Sequence, residues 1–302
     1  MASHQVVDDR DGVALISPAE ELRVAFAPAV GMVGYSLTHR GEELLGLRGG
    51  LTAYRERGSS FGIPLLHPWA NRLTTELDAA RPPVRVDANG LPIHGLLAAS
   101  PHWSVVGRGA AEERAWLAAA LDFGAHDELL AAFPYPHELR IEAELAGDTL
   151  TVATELAPTS EAPVPISFGW HPYLRLPGTP RSEWRVELPV ATRALLDERG
   201  IPTGRTEAAE ALDGPLGDRV WDDLYTELER PAVFALEDER RRVEVRFREE
   251  YPVAQVYAPA DADHVCFEPM TAPTNALVTG GGLRHARPGE RFRAEFALRV
   301  LG

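Results

Sequence analysis

The chain has 302 residues, 30 basic and 45 acidic, and its formal net charge of −15 argues against a general nucleic-acid binder, because such proteins carry a basic face. Every basic residue is an arginine, which excludes a Walker phosphate-binding loop and Schiff-base catalysis because both need a lysine. The only cysteine, Cys266, excludes an intrachain disulfide and a cysteine-based zinc cluster, and a chain this long can bury a substantial core.

Stretches in which apolar side chains alternate with others recur along the chain. In chain order they are 22–26, 139–145, 150–152, 243–247 and 292–300. A period of two is typical of strands with one buried face, and 25 prolines and 26 glycines are spread between the stretches. The pattern predicts an antiparallel, all-β architecture. No linker or repeat divides the chain, so we expect residues 1–302 to form a single domain.

Three regions of the chain allow more specific expectations. Residues 109–121, GAAEERAWLAAAL, have helical propensity and predict a helix, although tertiary pairing can override propensity. Residues 139–156 contain two alternating runs around a short Ala-Gly-Asp loop and predict a hairpin. The regular alternation of 292–300 predicts a strand that pairs inside the main sheet.

The N-terminal stretch 1–12 is polar and acidic, without the charged-then-apolar pattern of a secretory signal. No run of roughly 18 apolar residues occurs that could span a membrane. We therefore expect a cytoplasmic protein that binds neither membranes nor nucleic acids.

Two segments place a polar group among apolar residues near a turn. GIPLLHPWANRL, at 62–73, holds Asn71 and Arg72. Arg72 is either a solvated loop residue or a group that donates hydrogen bonds to ligand hydroxyls through its planar fork. LPIHGLL, at 91–97, holds His94 before a glycine that permits close backbone approach or a positive φ. A buried structural histidine and a functional one both fit His94.

Two later segments place titratable groups among aromatic or apolar residues. In PVPISFGWHPYLRLPG, at 163–178, His171 lies between Trp170 and Tyr173, as in an aromatic core corner or a site for the apolar face of a sugar. In HVCFEPMTAPTNAL, at 264–277, Glu268 follows an apolar run. Burial of that carboxyl would raise its pKa towards the range of a general base. A metal pair with His264 is disfavoured because the sequence shows no further ligand cluster.

Six segments, taken together, resemble the aldose 1-epimerases, the galactose mutarotase family. In chain order they are PWANRL, the His-Gly of LPIHGL, FPYPHELRIEAEL, FGWHPYLRLPG, AQVYAP and CFEPMTAPTNAL, which span roughly residues 60–280. Each segment is weakly specific alone, whereas the ordered set is specific and is closest to a divergent bacterial branch. The resemblance implies an antiparallel β-supersandwich with a sugar cleft on one face. It also implies neither a metal nor an organic cofactor.

The resemblance assigns roles to individual residues. Glu268 matches the family's general base and His171 its general acid, while His94 and Arg72 match substrate-binding groups. The family's sugar-binding aspartate precedes an aromatic residue, and WDDLY offers Asp222, which we favour, or Asp223. Further candidates for the sugar site are Asn71, Trp170 and Gln255.

The activity implied by the resemblance is interconversion of the α and β anomers of a free aldohexose, a small-molecule sugar. Three alternatives remain open, one of which is a lyase or hydrolase on a related sandwich, since one fold can host several activities. A hexose-6-phosphate 1-epimerase of the same superfamily would add an arginine-rich phosphate pocket, against which the net charge of −15 argues. A non-catalytic carbohydrate-binding or sensor domain would not need both Glu268 and His171. The sequence leaves open which sugar is bound and whether the protein is a monomer or a homodimer.

Overall fold

The structure is a computed structural model that describes residues 3–75 and 84–302. The strands of the described residues are β1 (Gln5–Asp9), β2 (Gly12–Ile16), β3 (Leu22–Ala27), β4 (Val33–His39), β5 (Glu42–Glu43), β6 (Leu65–Leu66), β7 (Ser104–Ala110), β8 (Ala115–Asp122), β9 (His137–Ala146), β10 (Thr149–Pro158), β11 (Val164–Ile166), β12 (Gly169–Trp170), β13 (Tyr173–Leu174), β14 (Arg185–Leu188), β15 (Val190–Leu196), β16 (Pro202–Ala208), β17 (Leu212–Pro215), β18 (Trp221–Leu228), β19 (Ala232–Glu237), β20 (Arg242–Glu249), β21 (Val253–Ala258), β22 (Val265–Met270), β23 (Arg284–Ala286) and β24 (Phe292–Leu301).

Helices are few and short. The α-helices are α1 (Gly50–Arg57), α2 (Asp127–Leu130) and α3 (Ala276–Thr279), and 3-10 turns cover Pro18–Glu20, Pro28–Val30, Phe123–Ala125 and Arg181–Glu183. None of the helices found in 3–75 and 84–302 has the length and apolar character needed to cross a bilayer.

Two large antiparallel sheets make up most of the molecule. One has nine strands in the order β17-β14-β19-β20-β24-β10-β9-β8-β7, and the other has eight in the order β16-β15-β18-β21-β22-β12-β6, with β13 also paired to β22. A five-stranded sheet, β1 to β5, and a pair, β11 and β23, complete the fold. Contacts between the large sheets include Phe234 with Phe267, whose ring centroids lie 5.4 Å apart. The predicted antiparallel all-β architecture is confirmed.

The C-terminal strand lies inside the nine-stranded sheet, as its alternation predicts. β24 pairs with β20 on one side and with β10 on the other. Ala294, Phe296 and Leu298 are fully buried, because one face of the strand points into the core. The hairpin predicted over 139–156 is also confirmed, as β9 and β10.

The helix predicted over 109–121 is wrong, because most of this segment belongs to β7 and β8. Ala115, Leu117, Ala119 and Leu121 are buried, and they alternate along β8 while that strand pairs with β9. Alanine has high helix propensity, yet the period-two pattern buries one whole face between neighbouring strands. Tertiary pairing therefore overrides local propensity here.

Two loops are joined by backbone hydrogen bonds beside β12. The amide of Leu96 donates to the carbonyl of His67 at 2.7 Å, and the amide of His94 donates to the carbonyl of Asn71 at 3.0 Å. Gly95 has a φ of +73°, and a Cβ there would lie 2.1 Å from the His67 carbonyl oxygen. Only glycine fits at this position, and its conformation keeps the two loops in register.

A buried histidine pair connects one of these loops to β9. The Nε2 atoms of His67 and His137 are 2.9 Å apart, and His137 Nδ1 lies 2.6 Å from the carbonyl of Tyr135. Burial lowers the pKa of His67 well below its usual range and that of His137 to about 4. Both rings are therefore neutral in the folded protein near neutral pH.

We expect this pair to make stability fall as the solution is acidified. The unfolded chain takes up protons near pH 6.5 while the folded histidines do not, so stabilisation that is complete above pH ~6.5 is lost below it. Each histidine can contribute up to about 1.4 kcal/mol per pH unit to that slope. Urea unfolding from pH 7.5 to 4.5 should show a flatter slope for His137→Gln than for wild type. The exposed-site control His285→Ala should keep the wild-type slope, and equal slopes for all three proteins would contradict this explanation.

Candidate active site

A single cleft brings together most of the residues that the sequence singled out. It lies over the eight-stranded sheet, where cross-strand neighbours share a face: Asp222 is opposite Tyr257, and Gln255 is opposite Glu268. The residues that line the cleft are Arg48, Ser60, Asn71, Arg72, Ile93, His94, His171, Tyr173, Asp222, Tyr257 and Glu268.

Strand alternation explains why Glu268 faces this cleft. In β22, Val265 and Phe267 point into the main hydrophobic core, so the side chain between Phe267 and Pro269 points to the opposite face. Glu268 is 1% exposed, and its Oε1 lies 3.2 Å from Nε2 of His171. Its second oxygen, Oε2, has no hydrogen-bond partner among the described residues. The buried carboxyl therefore has one oxygen against the imidazole and one free for a ligand.

His171 is fixed by aromatic packing. Its ring is parallel to that of Tyr173, with an interplanar angle of 1° and centroids 4.3 Å apart. The ring of His94 meets it edge to face at 5.2 Å. The backbone amide of His171 donates to the carbonyl of Pro64 at 3.1 Å. These contacts restrict the imidazole to one orientation, with Nε2 towards Glu268.

Burial governs the protonation of the pair. It raises the pKa of Glu268 well above the usual range, an effect that Asp222 increases and Arg72 partly offsets. Burial also lowers the pKa of His171 well below its usual value, with a further contribution from His94. Both effects favour the neutral forms.

His94 is the third titratable group of this cluster. It has a φ of +60° next to Gly95, and its Nδ1 is buried with no partner among residues 3–75 and 84–302. Burial, with help from the charges of Arg72 and Arg85, lowers the pKa of His94 to about 3. A neutral imidazole with a free ring nitrogen suits a ligand hydroxyl.

Arg72 is held at the edge of the cleft by an aspartate that sequence reasoning missed. Its Nε donates to Asp87 Oδ2 at 2.7 Å, and its Nη1 donates to Asn71 Oδ1 at 3.2 Å. Asp87 Oδ1 accepts from the backbone amides of Asn89 and Leu91. Burial acts to raise the pKa of Asp87, but the hydrogen bonds from Arg72 and these amides lower it below its usual value. No motif marks Asp87, which lies 15 residues from Arg72.

The structure separates the two neighbouring aspartates of β18. Asp222 lines the cleft, accepts a hydrogen bond from Gln255 Nε2 at 2.7 Å and lies 3.6 Å from Arg72 Nη2. Asp223 points to the other face of the strand, where it pairs with Arg193. The alternative of Asp223 as a cleft residue is therefore wrong. Gln255 lies behind Asp222 and is not itself among the lining residues.

The expectation for Trp170 also needs correction. Its side chain is fully buried, its Nε1 donates to Thr154 Oγ1 at 3.0 Å, and its ring packs on Phe296. Because His171 follows directly, the two side chains lie on opposite sides of the backbone. Trp170 belongs to the core between the sheets and has no surface to offer a ligand.

Five lining residues carried no predicted role: Arg48, Ser60, Ile93, Tyr173 and Tyr257. Tyr257 is two positions after Gln255 in AQVYAP, so period-two alternation could have identified it. Tyr173 was visible only as a neighbour of His171. Arg48 comes from the loop before α1, and its guanidinium lies 5.6 Å from the Tyr173 ring centroid. No signal in the sequence connects Arg48 to the cleft.

The two sandwiched antiparallel sheets, with a polar cleft and a buried carboxyl–imidazole pair on one of them, define a β-sandwich protein with a candidate active site. The sequence profile of the aldose 1-epimerase family matches residues 33–299. The chain belongs to this family, which supports a general carbohydrate-epimerase function. A search of curated proteins found no match.

Solved structures share the fold over essentially the whole chain. A galactose mutarotase-like protein from Clostridium acetobutylicum has 19% identity and a TM-score of 0.81, with 100% of this chain and 99% of that chain covered. The Slr1438 protein of Synechocystis sp. PCC 6803 has 23% identity and a TM-score of 0.75, with 99% and 95% covered. A galactose mutarotase related enzyme from Lactobacillus acidophilus has 16% identity and a TM-score of 0.72, with 99% and 97% covered. The fold is galactose mutarotase-like.

We expect Asp87→Asn to weaken sugar binding, although residue 87 is not among those that line the cleft. The amide keeps an oxygen for the backbone donors, but its NH2 group cannot accept from Arg72, so the guanidinium loses its fixed position. The Michaelis constant of the best sugar should rise about tenfold, equivalent to ~1.4 kcal/mol, with a smaller change in kcat. Asp223→Asn, which removes a carboxylate paired with Arg193 on the other face, is the matched control and should leave the Michaelis constant unchanged. A Michaelis constant of Asp87→Asn equal to that of wild type would show that Asp87 does not position Arg72.

Proposed function

We propose that this chain is an aldose 1-epimerase that interconverts the α and β anomers of a free aldohexose. The observation that carries the proposal is the buried pair of His171 and Glu268, 3.2 Å apart in a cleft with hydroxyl-binding groups around it. The cleft has a volume of about 210 Å³, below the roughly 300–1,000 Å³ of pockets for drug-sized ligands. A ligand of one sugar ring suits this volume.

The reaction needs one base and one acid. Glu268 takes the proton of the C1 hydroxyl while His171 gives a proton to the ring oxygen, and the C1–O5 bond breaks. The aldehyde end then turns to present its other face. On closure His171 regains its proton from the attacking hydroxyl and Glu268 returns its own to the new C1 oxygen. The proton count of the pair is the same before and after.

Burial favours the neutral carboxyl and the neutral imidazole, whereas ring opening begins with a carboxylate and an imidazolium. The two arrangements contain the same number of protons. Sugar hydroxyls that enter between the groups supply hydrogen bonds to Glu268 Oε2 and to the imidazole. Such bonds stabilise the ionised carboxylate and shift the proton to His171.

The remaining cleft residues orient the sugar. Asp222 can accept hydrogen bonds from hydroxyls, Arg72 can donate them, and neutral His94 can do either. Gln255 donates a hydrogen bond to Asp222 at 2.7 Å, and Arg72 donates one to Asp87 at 2.7 Å. Asp222 and Arg72 are therefore positioned before the ligand arrives. Restricting the ring to one pose lowers the entropic cost of aligning C1 and O5 with the acid–base pair.

Replacement of either member of the pair should remove most of the activity. Glu268→Gln keeps the shape but cannot take the C1 proton, and His171→Asn cannot protonate the ring oxygen. Each should lower kcat by roughly 10²–10⁴-fold, measured by polarimetry above the uncatalysed rate. The double variant should lose less than the product of the two effects, because both groups act in one transition state.

The control for this pair is Glu138→Gln, which removes an exposed carboxyl of β9. It should retain wild-type mutarotation. Each variant must also keep the wild-type circular dichroism spectrum. A correctly folded Glu268→Gln protein with near-wild-type kcat would show that Glu268 is not the base.

A second candidate, a hexose-6-phosphate 1-epimerase, is favoured by one observation. Arg48 lines the cleft, and among the described residues no carboxylate lies within 4.0 Å of its guanidinium, whereas Arg72 is paired with Asp87. An uncompensated guanidinium suits a phosphate. The net charge of −15 opposes an anionic substrate, and for this reason we place the neutral sugar first.

We expect glucose or galactose to give a higher kcat/KM than glucose 6-phosphate, because the acidic surface repels the phosphate during encounter. NMR or polarimetry on freshly dissolved neutral and phosphorylated aldoses measures this directly. Arg48→Ala should change kcat/KM for the neutral sugar by less than kcat/KM for the 6-phosphate. A higher kcat/KM for the 6-phosphate, lost in Arg48→Ala, would reverse the assignment in favour of the second candidate.

A further inference from the structure

Three potential metal ligands converge outside the cleft. They are His102, in the segment before β7, and His126 and Glu128, in the connection between β8 and β9. His102 Nε2 lies 2.9 Å from Glu128 Oε1, and His126 Nδ1 lies 3.9 Å from the same oxygen. All three ligand atoms lie within 4.8 Å of one another. None of the three residues lines the cleft.

The two imidazoles face each other. Their centroids are 3.7 Å apart and the rings are inclined by 26°. An imidazole binds a metal in its neutral form, through a ring nitrogen. Both histidines and Glu128 retain partial exposure, so a small ion has access to the cluster from solvent.

Buried neighbours hold the backbone of all three ligands. Trp103, beside His102, is 5% exposed, and Leu129, beside Glu128, is 1% exposed. The carbonyl of His126 accepts hydrogen bonds from the amides of Leu129 and Leu130 at 3.0 and 3.1 Å. The ligands therefore sit on anchored segments, and only side-chain rotations are needed to adjust their distances.

The distances are close to those around a tetrahedral metal ion, and small side-chain rotations would bring them into range. Nitrogen and oxygen ligands about 2.0–2.2 Å from Zn²⁺ are separated by roughly 3.3–3.6 Å in a tetrahedron. The observed separations of 2.9 and 3.9 Å lie on either side of that range. Two imidazoles and one carboxylate form a ligand set that zinc uses with water in the fourth position. Imidazole ligands also disfavour Ca²⁺ and Mg²⁺, which prefer oxygen.

We propose that His102, His126 and Glu128 form a binding site for a divalent transition-metal ion, with Zn²⁺ as the best fit. The ion would connect the segment before β7 to the β8–β9 connection. The two histidine ligands are 24 residues apart in the sequence. The site is separate from the acid–base pair, so it stabilises the fold and takes no part in the chemistry. Sequence spacing did not reveal it, because the stacked rings come together only when β7 and β8 are paired.

The site can be tested on the full chain with zinc alone. After removal of metal with EDTA and dialysis, wild-type protein is titrated with ZnCl2 by calorimetry at pH 7.5. We expect one equivalent to bind and the melting temperature to rise with zinc. His102→Ala, His126→Ala and Glu128→Gln should each weaken that binding at least ~10-fold. His285→Ala, which removes an exposed imidazole elsewhere, should bind like wild type.

Two further measurements separate this site from zinc captured in the cleft. Wild type loaded with Co²⁺ should show the visible absorption of a four- or five-coordinate ion, which His126→Ala should lose and His171→Asn should keep. Mutarotation should be the same before and after EDTA treatment. The proposal is wrong if wild type binds no zinc, if His102→Ala and His126→Ala bind it as tightly as wild type, or if His171→Asn alone abolishes binding.

Discussion

The burial of one carboxyl group, that of Glu268, is the constraint on which the rest of the site depends. The alternation of β22 sends Phe267 into the inter-sheet core and Glu268 to the other face, under the loops that carry His171 and His94. An ionised carboxylate in this position is costly, so burial raises the pKa of Glu268. Burial also lowers the pKa of the adjacent His171. Low exposure thus favours the neutral form of both groups.

The charged groups around this pair are organised differently from those on the surface. Arg72 and Asp222 each have a fixed second partner, Asp87 and Gln255, at hydrogen-bond distance. Exposed ion pairs on the outer strands, such as that of Arg185 with Asp213, are screened by water and stabilise the fold little. In the cleft, Asp87 and Gln255 instead hold a donor and an acceptor in place. A site with prepositioned polar groups needs less reorganisation when a hydroxyl-rich ligand binds.

The site also depends on contacts far along the chain. Trp170 precedes His171 and packs on Phe296 of the last strand, with ring centroids 5.7 Å apart. β24 lies between β20 and β10, in the middle of the nine-stranded sheet. The backbone that carries the imidazole therefore rests on a layer that is complete only when the C-terminal strand is paired. Such non-local pairing must form after long loops have closed.

The sequence by itself determined the fold class, because period-two alternation and scattered turn residues leave few alternatives to antiparallel sheets. It also singled out Glu268, His171, His94 and Arg72, each a polar group in an apolar segment of a family motif, and all four line the cleft. Tertiary structure decided what local pattern could not. Pairing with β9 made a strand of the alanine-rich segment 109–121, and strand direction chose Asp222 over Asp223 and turned Trp170 into the core. Asp87, Arg48 and the cluster of His102, His126 and Glu128 became visible only in three dimensions, because their partners are distant in sequence and each residue alone is indistinguishable from a solvated surface group.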